Sequence, residues 1–272
     1  MSRLKIIVYH KIFNEPAIVL STKLKIDLVQ GDYQAKENDL FIVYGGHLQP
    51  QALLSIQKEI KGVGYIIMNT ESKSSQFLKN AYYIELMRRN IVFDYSHAST
   101  QYLKEKLNIK VFSHFYFEFM KMMADEERTT DILFVGTPTD NRRIIEYNLK
   151  AKYPNKSIKF VYDWTLDSAE KMKNELLKAK IVLNINYYED GSFETHRINN
   201  ALSCGCIVVS HNKTDPETIK FYNNYIHFTE DLLTYDFDQD FEEKKPYEDM
   251  IKYLTKNLLQ HNLFILNQVI KN

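Results

Sequence analysis

The chain has 272 residues, room for one large domain or two of modest size. Its 35 Lys+Arg balance 35 Asp+Glu, which excludes a global field that would draw in nucleic acid or an acidic membrane surface. No apolar run is long enough to span a bilayer, so no transmembrane segment is expected. The N-terminal MSRLKIIVYHK has too short an apolar stretch, and no small-residue cleavage site, for a secretory leader. Cys204 and Cys206 flank Gly205 too closely for an easy disulfide, and no second Cys/His cluster joins them as metal ligands. The expected setting is reducing and cytoplasmic.

In chain order, Leu4–Tyr9 reads as a buried strand ending at His10. A helix over Pro16–Leu24 and a strand over Ile26–Val29 follow. Leu40–Tyr44 is a strand that runs into Gly45-Gly46-His47. Gln51–Ile60 has helical spacing, and Tyr65–Met68 is a strand followed by Asn69, Thr70 and Glu71. A helix over Ser75–Arg89, a strand over Ile91–Asp94, a helix over Ser99–Leu107 and a strand over Ile109–Phe112 complete a first series. Strands alternating with helices of this length argue for a parallel sheet covered on both faces. Ligands of such sheets bind beyond the carboxyl ends of strands, where His10, His47, Asn69, Glu71 and Asp94 fall.

The aromatic and methionine-rich Phe115–Met123, with the polar Ala124–Thr130 after it, reads as a crossing between domains. A second series starts with the strand Ile132–Val135, closed by Gly136, and the helix Asn141–Tyr153, opened by Arg142 and Arg143. The strand Ile158–Val161 and the helix Ser168–Lys178, with Asp167 and Glu170 as a capping box, come next. Ile181–Ile185 is a strand, Glu194–Cys204 a short amphipathic helix and Ile207–Val209 a strand. A helix over Pro216–Tyr222, a strand near Tyr225–Phe228 and a charged loop over Glu230–Lys245 follow. Pro246 opens a last helix over Tyr247–Ile270. The expected organisation is two Rossmann-like α/β domains, 1–123 and 131–246, facing a central cleft, with the helix 247–270 packing back toward the first.

Within Ile181–Ser210 the short helix opens on Ser192, Glu194, Thr195, His196 and Arg197. It would aim unpaired N–H groups and a guanidinium at one point, an arrangement suited to a diphosphate.

Four segments carry a family resemblance: ILFVGTPTDNRR (Ile132–Arg143), AKIVLNINYYEDGSFETHRINNALSCGCIVVS (Ala179–Ser210), YIIMNTES (Tyr65–Ser72) and FDYSHASTQYL (Phe93–Leu103). The chain resembles GT-B fold glycosyltransferases of the group 1 and spore-maturation kind, in the small form found in bacteria and large DNA viruses. The resemblance implies a hexosyl- or deoxyhexosyltransferase, in a bacterium or a virus-infected host cell. Such an enzyme moves a sugar from a nucleoside-diphosphate donor to a glycan or other hydroxyl acceptor, without metal or other cofactor.

On the donor side it implies Gly136 as the point of close phosphate approach, with Arg142, Arg143 and above all Arg197 as phosphate cations. It also implies Glu194 on sugar or ribose hydroxyls, His196 in the same first turn, and Tyr188 stacked on base or sugar. Many members carry a glutamate shortly before the glycine of the last small-x-Gly turn. Asn199-Asn200 stand there instead, and Asn200 is the weaker hydroxyl partner in its place. Asp236-x-Asp238 and Asp238-x-Asp240 match a metal-binding D-x-D, but in a polar loop away from any strand end, so no metal is expected.

An inverting transfer needs a base for the acceptor hydroxyl. His10, His47 and Glu71 are the candidates, His10 and His47 because imidazole titrates near neutral pH. Two other readings are a GT-B-like binding or scaffold domain without catalysis, and a sugar-nucleotide epimerase with the same diphosphate grip.

Overall fold

Runs such as LFIVY and GYIIMN have no polar alternation, so their strands must be covered on both faces, as parallel strands are. The computed structural model describes residues 4–124, 127–162, 168–187 and 193–271. It divides into two units, Met1–Glu118 with Lys252–Asn272, and Phe119–Ile251.

Unit 1 contains β1 (Leu4–Val8), α1 (Asn14–Leu24), β2 (Asp27–Gln30), β3 (Leu40–Tyr44), α2 (Pro50–Glu59) and β4 (Gly64–Asn69). It continues with α3 (Ala81–Arg89), β5 (Ile91–Asp94), α4 (His97–Glu105) and β6 (Val111–His114). All strand pairings are parallel, in the order β2-β1-β3-β4-β5-β6. Ile7, Val43, Ile67 and Val92 from the sheet pack with Leu53, Leu86 and Leu103 from the helices.

Unit 2 contains β7 (Thr130–Val135), α5 (Asp140–Lys152), β8 (Ile158–Val161), α6 (Ser168–Lys178), β9 (Ala179–Asn184) and α7 (Thr195–Ser203). Then come β10 (Ile207–His211), α8 (Pro216–Tyr222) and β11 (His227–Thr229). Its strands are again parallel, in the order β11-β10-β9-β7-β8. The chain leaves this unit within α9 (Tyr247–Leu254), passes a π-helical turn at Thr255–Leu259, and ends in α10 (Gln260–Lys271), which packs on β6. Among the described residues no helix is long and apolar enough to cross a membrane.

The two Rossmann-like α/β sheets expected from the alternation are present, and they share one topology. In each, the second strand lies on one side of the first and the third strand on the other. The chain therefore reverses direction between β1 and β3, and between β7 and β9. The carboxyl ends of such a pair leave a crevice that no crossover helix covers.

Two elements differ from the periodicity reading. The expected helix Ser75–Arg89 is a 3₁₀ turn, Gln76–Lys79, followed by α3. Asn80 adopts extended backbone, and its Oδ1 accepts from Tyr82 N–H and Tyr83 N–H, which starts a new helix. The crossing falls at 118/119, with its aromatics packed inward: Phe117 stacks on Phe13, and Phe119 N–H donates to Tyr247 Oη at 2.8 Å.

Candidate functional site

In unit 2 the crevice lies where β7 and β9 end. Gly136 closes β7, and its N–H still bonds Val161 O at 3.0 Å. A Cβ on Gly136 would stand 2.8 Å from Arg197 Nη2, 2.8 Å from Phe134 Cζ and 3.2 Å from Arg142 Nη1, so only glycine leaves room for both guanidiniums. Thr139 caps α5 by accepting from Arg142 N–H at 3.2 Å, which sets Arg142 in the first turn facing inward.

Arg142 is 1% exposed. Its Nε bonds Ile185 O at 3.2 Å, Nη1 bonds Thr137 O at 2.8 Å, and Nη2 reaches Ile185 O at 2.5 Å and Glu194 Oε1 at 2.8 Å. It thereby ties the end of β9 to the turn after β7. Burial, and secondarily Arg197, lower its pKa to about 10, so it stays charged at neutral pH.

Arg197, in the first turn of α7, is also buried. Its Nη1 donates to Asn184 Oδ1 at 3.1 Å, and its Nη2 pairs with Glu194 Oε2. Its Nε is buried with no hydrogen-bond partner among the described residues. Both guanidiniums lie over Phe134, at 4.8 and 5.1 Å from the ring centre. Asn184 is itself held by Ser210 Oγ at 2.9 Å. Among the described residues two buried cations thus share one carboxylate, with a donor to spare in a strand-end crevice, the chemistry of an anion site.

The other donor-side candidates are placed differently. Arg143 is exposed and lies over Tyr162 at 5.6 Å, outside this cluster. His196 packs its ring on Phe119 at 4.9 Å. Asn200 Oδ1 accepts from the buried Lys173 Nζ at 3.2 Å, and Asn199 Oδ1 from Tyr222 Oη at 2.9 Å, so both amides are committed inside the unit. Tyr188 lies outside the described residues. Phe134, Asn184 and Ser210 were missed: as sequence they are ordinary strand residues, and only the strand order brings Phe134 and Asn184 to the arginines and Ser210 to Asn184.

In unit 1 the ends of β1, β3, β4 and β5 carry a second polar cluster. His10 caps the turn after β1, its Nδ1 accepting from Ile12 N–H at 3.2 Å. The neutral ring therefore carries its proton on Nε2. The ring is exposed, though the protein packed beneath it lowers its pKa.

His47 follows Gly45, which takes a left-handed φ of 73°. It is buried against Phe77, with ring centres 4.5 Å apart. Burial, and then His10, lower its pKa to about 4, so at pH 7 it is neutral. Its Nε2 lies 3.2 Å from Glu71 Oε1, while Nδ1 is buried with no hydrogen-bond partner among the described residues.

Glu71 accepts a hydrogen bond from Ser75 Oγ at 2.5 Å, and burial raises its pKa. Asn69 links it inward: Nδ2 donates to Glu71 O at 3.0 Å and to Asp94 Oδ2 at 2.7 Å, and Oδ1 accepts from Tyr83 Oη at 2.9 Å. Asp94 is fully buried, and desolvation lifts its pKa to about 7. Among the described residues no group of three or more His, Cys, Asp or Glu could hold a metal ion. Asp238 of the D-x-D pairs with Lys156 at 2.6 Å.

No protein-family model matches the chain, and no curated protein does. Solved structures align with it at low similarity, two of which follow. The crystal structure of TarM shares 13% identity at a TM-score of 0.45, over 91% of this chain and 52% of that one. The Glycosylation Associate Protein (Gap123) complex from Streptococcus agalactiae shares 11% at 0.41, over 94% and 54%. The chain spans about half the length of each. At these values the fold rests on the chain's own two sheets and the chemistry on its own side chains.

Proposed function

We propose that the chain is a glycosyltransferase of the GT-B kind that uses a nucleoside-diphosphate sugar. The diphosphate grip is read in the strand-end crevice of unit 2, and a candidate for the acceptor's base in the strand-end cluster of unit 1. The observation that carries this reading is the Arg142–Glu194–Arg197 cluster at the strand-end crevice of unit 2. Its net positive charge and unpartnered Nε match a phosphate.

When the sugar's C–O bond to phosphate breaks, negative charge builds on the departing diphosphate. A fixed guanidinium in a dry site stabilises that charge as a metal ion otherwise would. Arg197 is the cation assigned to this task, because Arg142 already spends its donors on Ile185, Thr137 and Glu194.

For inversion, the acceptor oxygen attacks the sugar carbon as its proton passes to a base. Glu71 fits that role better than either histidine. His47 is neutral with its free nitrogen sealed, and His10 presents an N–H outward. Glu71 is a half-buried carboxylate, oriented by Ser75 and His47 and with a raised pKa, as a general base requires.

The test is a thermal-shift panel of UDP-, GDP-, TDP- and ADP-sugars, followed by assay of diphosphate release with and without acceptor. One nucleotide should raise the melting temperature, and Arg197→Ala should weaken that response about tenfold or more with the fold intact. No response to any nucleotide ends the reading. Binding without turnover would instead identify a binding domain. Interconverted sugar without diphosphate release would identify an epimerase.

A further inference from the structure

Two buried guanidiniums without a counter-ion repel each other and carry the full cost of leaving water. In unit 2 one side chain among the described residues offsets this. Glu194 Oε1 accepts from Arg142 Nη2 at 2.8 Å and from Tyr187 N–H at 3.1 Å, while Oε2 pairs with Arg197 Nη2. Two oxygens facing two guanidinium forks, with a backbone N–H as third donor, is also how a phosphate group is held.

Three features set Glu194 apart from a permanent structural ion pair. Its side chain is 25% exposed, whereas those of Arg142 and Arg197 are 1% and 7% exposed. It precedes α7 with non-helical backbone, φ −84° and ψ 69°, and its side chain caps none of that helix's N–H groups. The ion pair also leaves the buried Nε of Arg197 without a partner among the described residues, so the carboxylate fills the site incompletely.

We infer that Glu194 is a built-in stand-in for the bound anion: it holds Arg142 and Arg197 in place, and yields its position to a phosphate group of the ligand. The inference rests on the anion-site reading above. No bond is made or broken in the exchange. A carboxylate turns to solvent as a phosphate arrives, and the reverse occurs as diphosphate leaves. Ligand affinity is then the difference between two anions competing for the same arginines. The native carboxylate weakens binding, and it favours departure of a product that two unopposed arginines would retain.

The sign of one substitution tests this, because a glutamate that instead touched ligand hydroxyls would strengthen binding. Pyrophosphate and UDP are titrated calorimetrically into the full chain, as wild type, Glu194→Gln, Arg197→Ala and the double variant. Glu194→Gln should melt at a lower temperature without ligand yet bind pyrophosphate about tenfold tighter, and adding Arg197→Ala should erase the gain. Equal or weaker binding by Glu194→Gln, with Arg197→Ala still losing affinity, overturns the stand-in and leaves the anion site standing. Binding that ignores both substitutions, or is absent from every variant, overturns both. If the Gln variant does not fold, Glu194→Asp decides. One methylene shorter, it reaches a single guanidinium and should still bind several-fold tighter than wild type, with equal or weaker binding overturning the inference.

Discussion

Imidazole in water titrates near neutrality, which is why a histidine after a strand invites a catalytic reading. Burial reverses that for His47, whose pKa falls to about 4. Its proton stays on the nitrogen facing Glu71, and it serves as a donor. Glu71→Gln should therefore cut turnover about 10²–10⁴-fold with nucleotide affinity unchanged, while His47→Gln, which keeps a donor, loses far less. Equal turnover in Glu71→Gln would remove it as the base. The acid limb of the rate profile should follow Glu71, with activity rising as pH passes its raised pKa. Asp94 makes a separate, structural prediction. Its folded pKa of about 7 exceeds the unfolded value, so the folded state holds the extra proton between about pH 4 and 7. Stability from this group is complete below about pH 4 and is lost as pH rises to about 7, on the order of 4 kcal/mol. Denaturant melts across that range should show the fall, and Asp94→Asn should flatten it; an unchanged slope would refute the assignment. At this scale the sequence placed the candidates at strand ends, where the structure has them, because strand-end residues fall near crevices whatever they are. It could not rank them. The ranking depends on partners distant in the chain, such as Tyr222 for Asn199 and Lys173 for Asn200.

A glycine at the end of β7 costs nothing to read as a turn residue, yet its neighbours give it a sharper role. Gly136→Ala would place a methyl 2.8 Å from both Phe134 and the Arg197 fork. The ring cannot yield without moving Ile145 and Leu149, which share its core cluster, so the arginines must. The expected cost is about 1–3 kcal/mol of unit 2 stability, together with loss of phosphate response in calorimetry. Intact binding in a destabilised protein would separate packing from function there. The strands and most helices were legible because two-sided burial writes continuous apolar runs and helical faces repeat every three or four residues. What periodicity hides is a local competitor for the helix. Asn80 keeps the apolar spacing of its neighbours, yet its amide captures the N–H groups that the preceding turn would have used. The π turn at Thr255–Leu259 is equally silent, since one widened turn scarcely shifts the apolar stripe of the last helix.

The parallel alternation predicted two sheets, and the strand order explains why the arginine cluster of unit 2 stands at the reversal between β7 and β9, while the cluster of unit 1 runs from its reversal at β1 and β3 on to the ends of β4 and β5. Each unit has its own core, so calorimetry should resolve two transitions, with nucleotide raising only that of unit 2. Removing residues 252–272 should lower the unit 1 transition and spare the other. It strips out the buried Leu254 and Leu266, each worth about 1.5–3 kcal/mol, and the bond from Asn262 Nδ2 to His114 O. A single cooperative transition that shifted as a whole would contradict this division. Unit 1 is encoded in two pieces with all of unit 2 between them. On the ribosome its six strands are finished by His114, yet Leu259, Leu263 and Leu266, which close over Ile42, Ile66 and Phe93, are made last. At ordinary elongation rates the intervening segment takes roughly 7–29 s to synthesise. For that interval a bare apolar sheet face waits in water, and the nascent chain's exposure to chaperones and to aggregation is set by the speed at which an unrelated domain is translated.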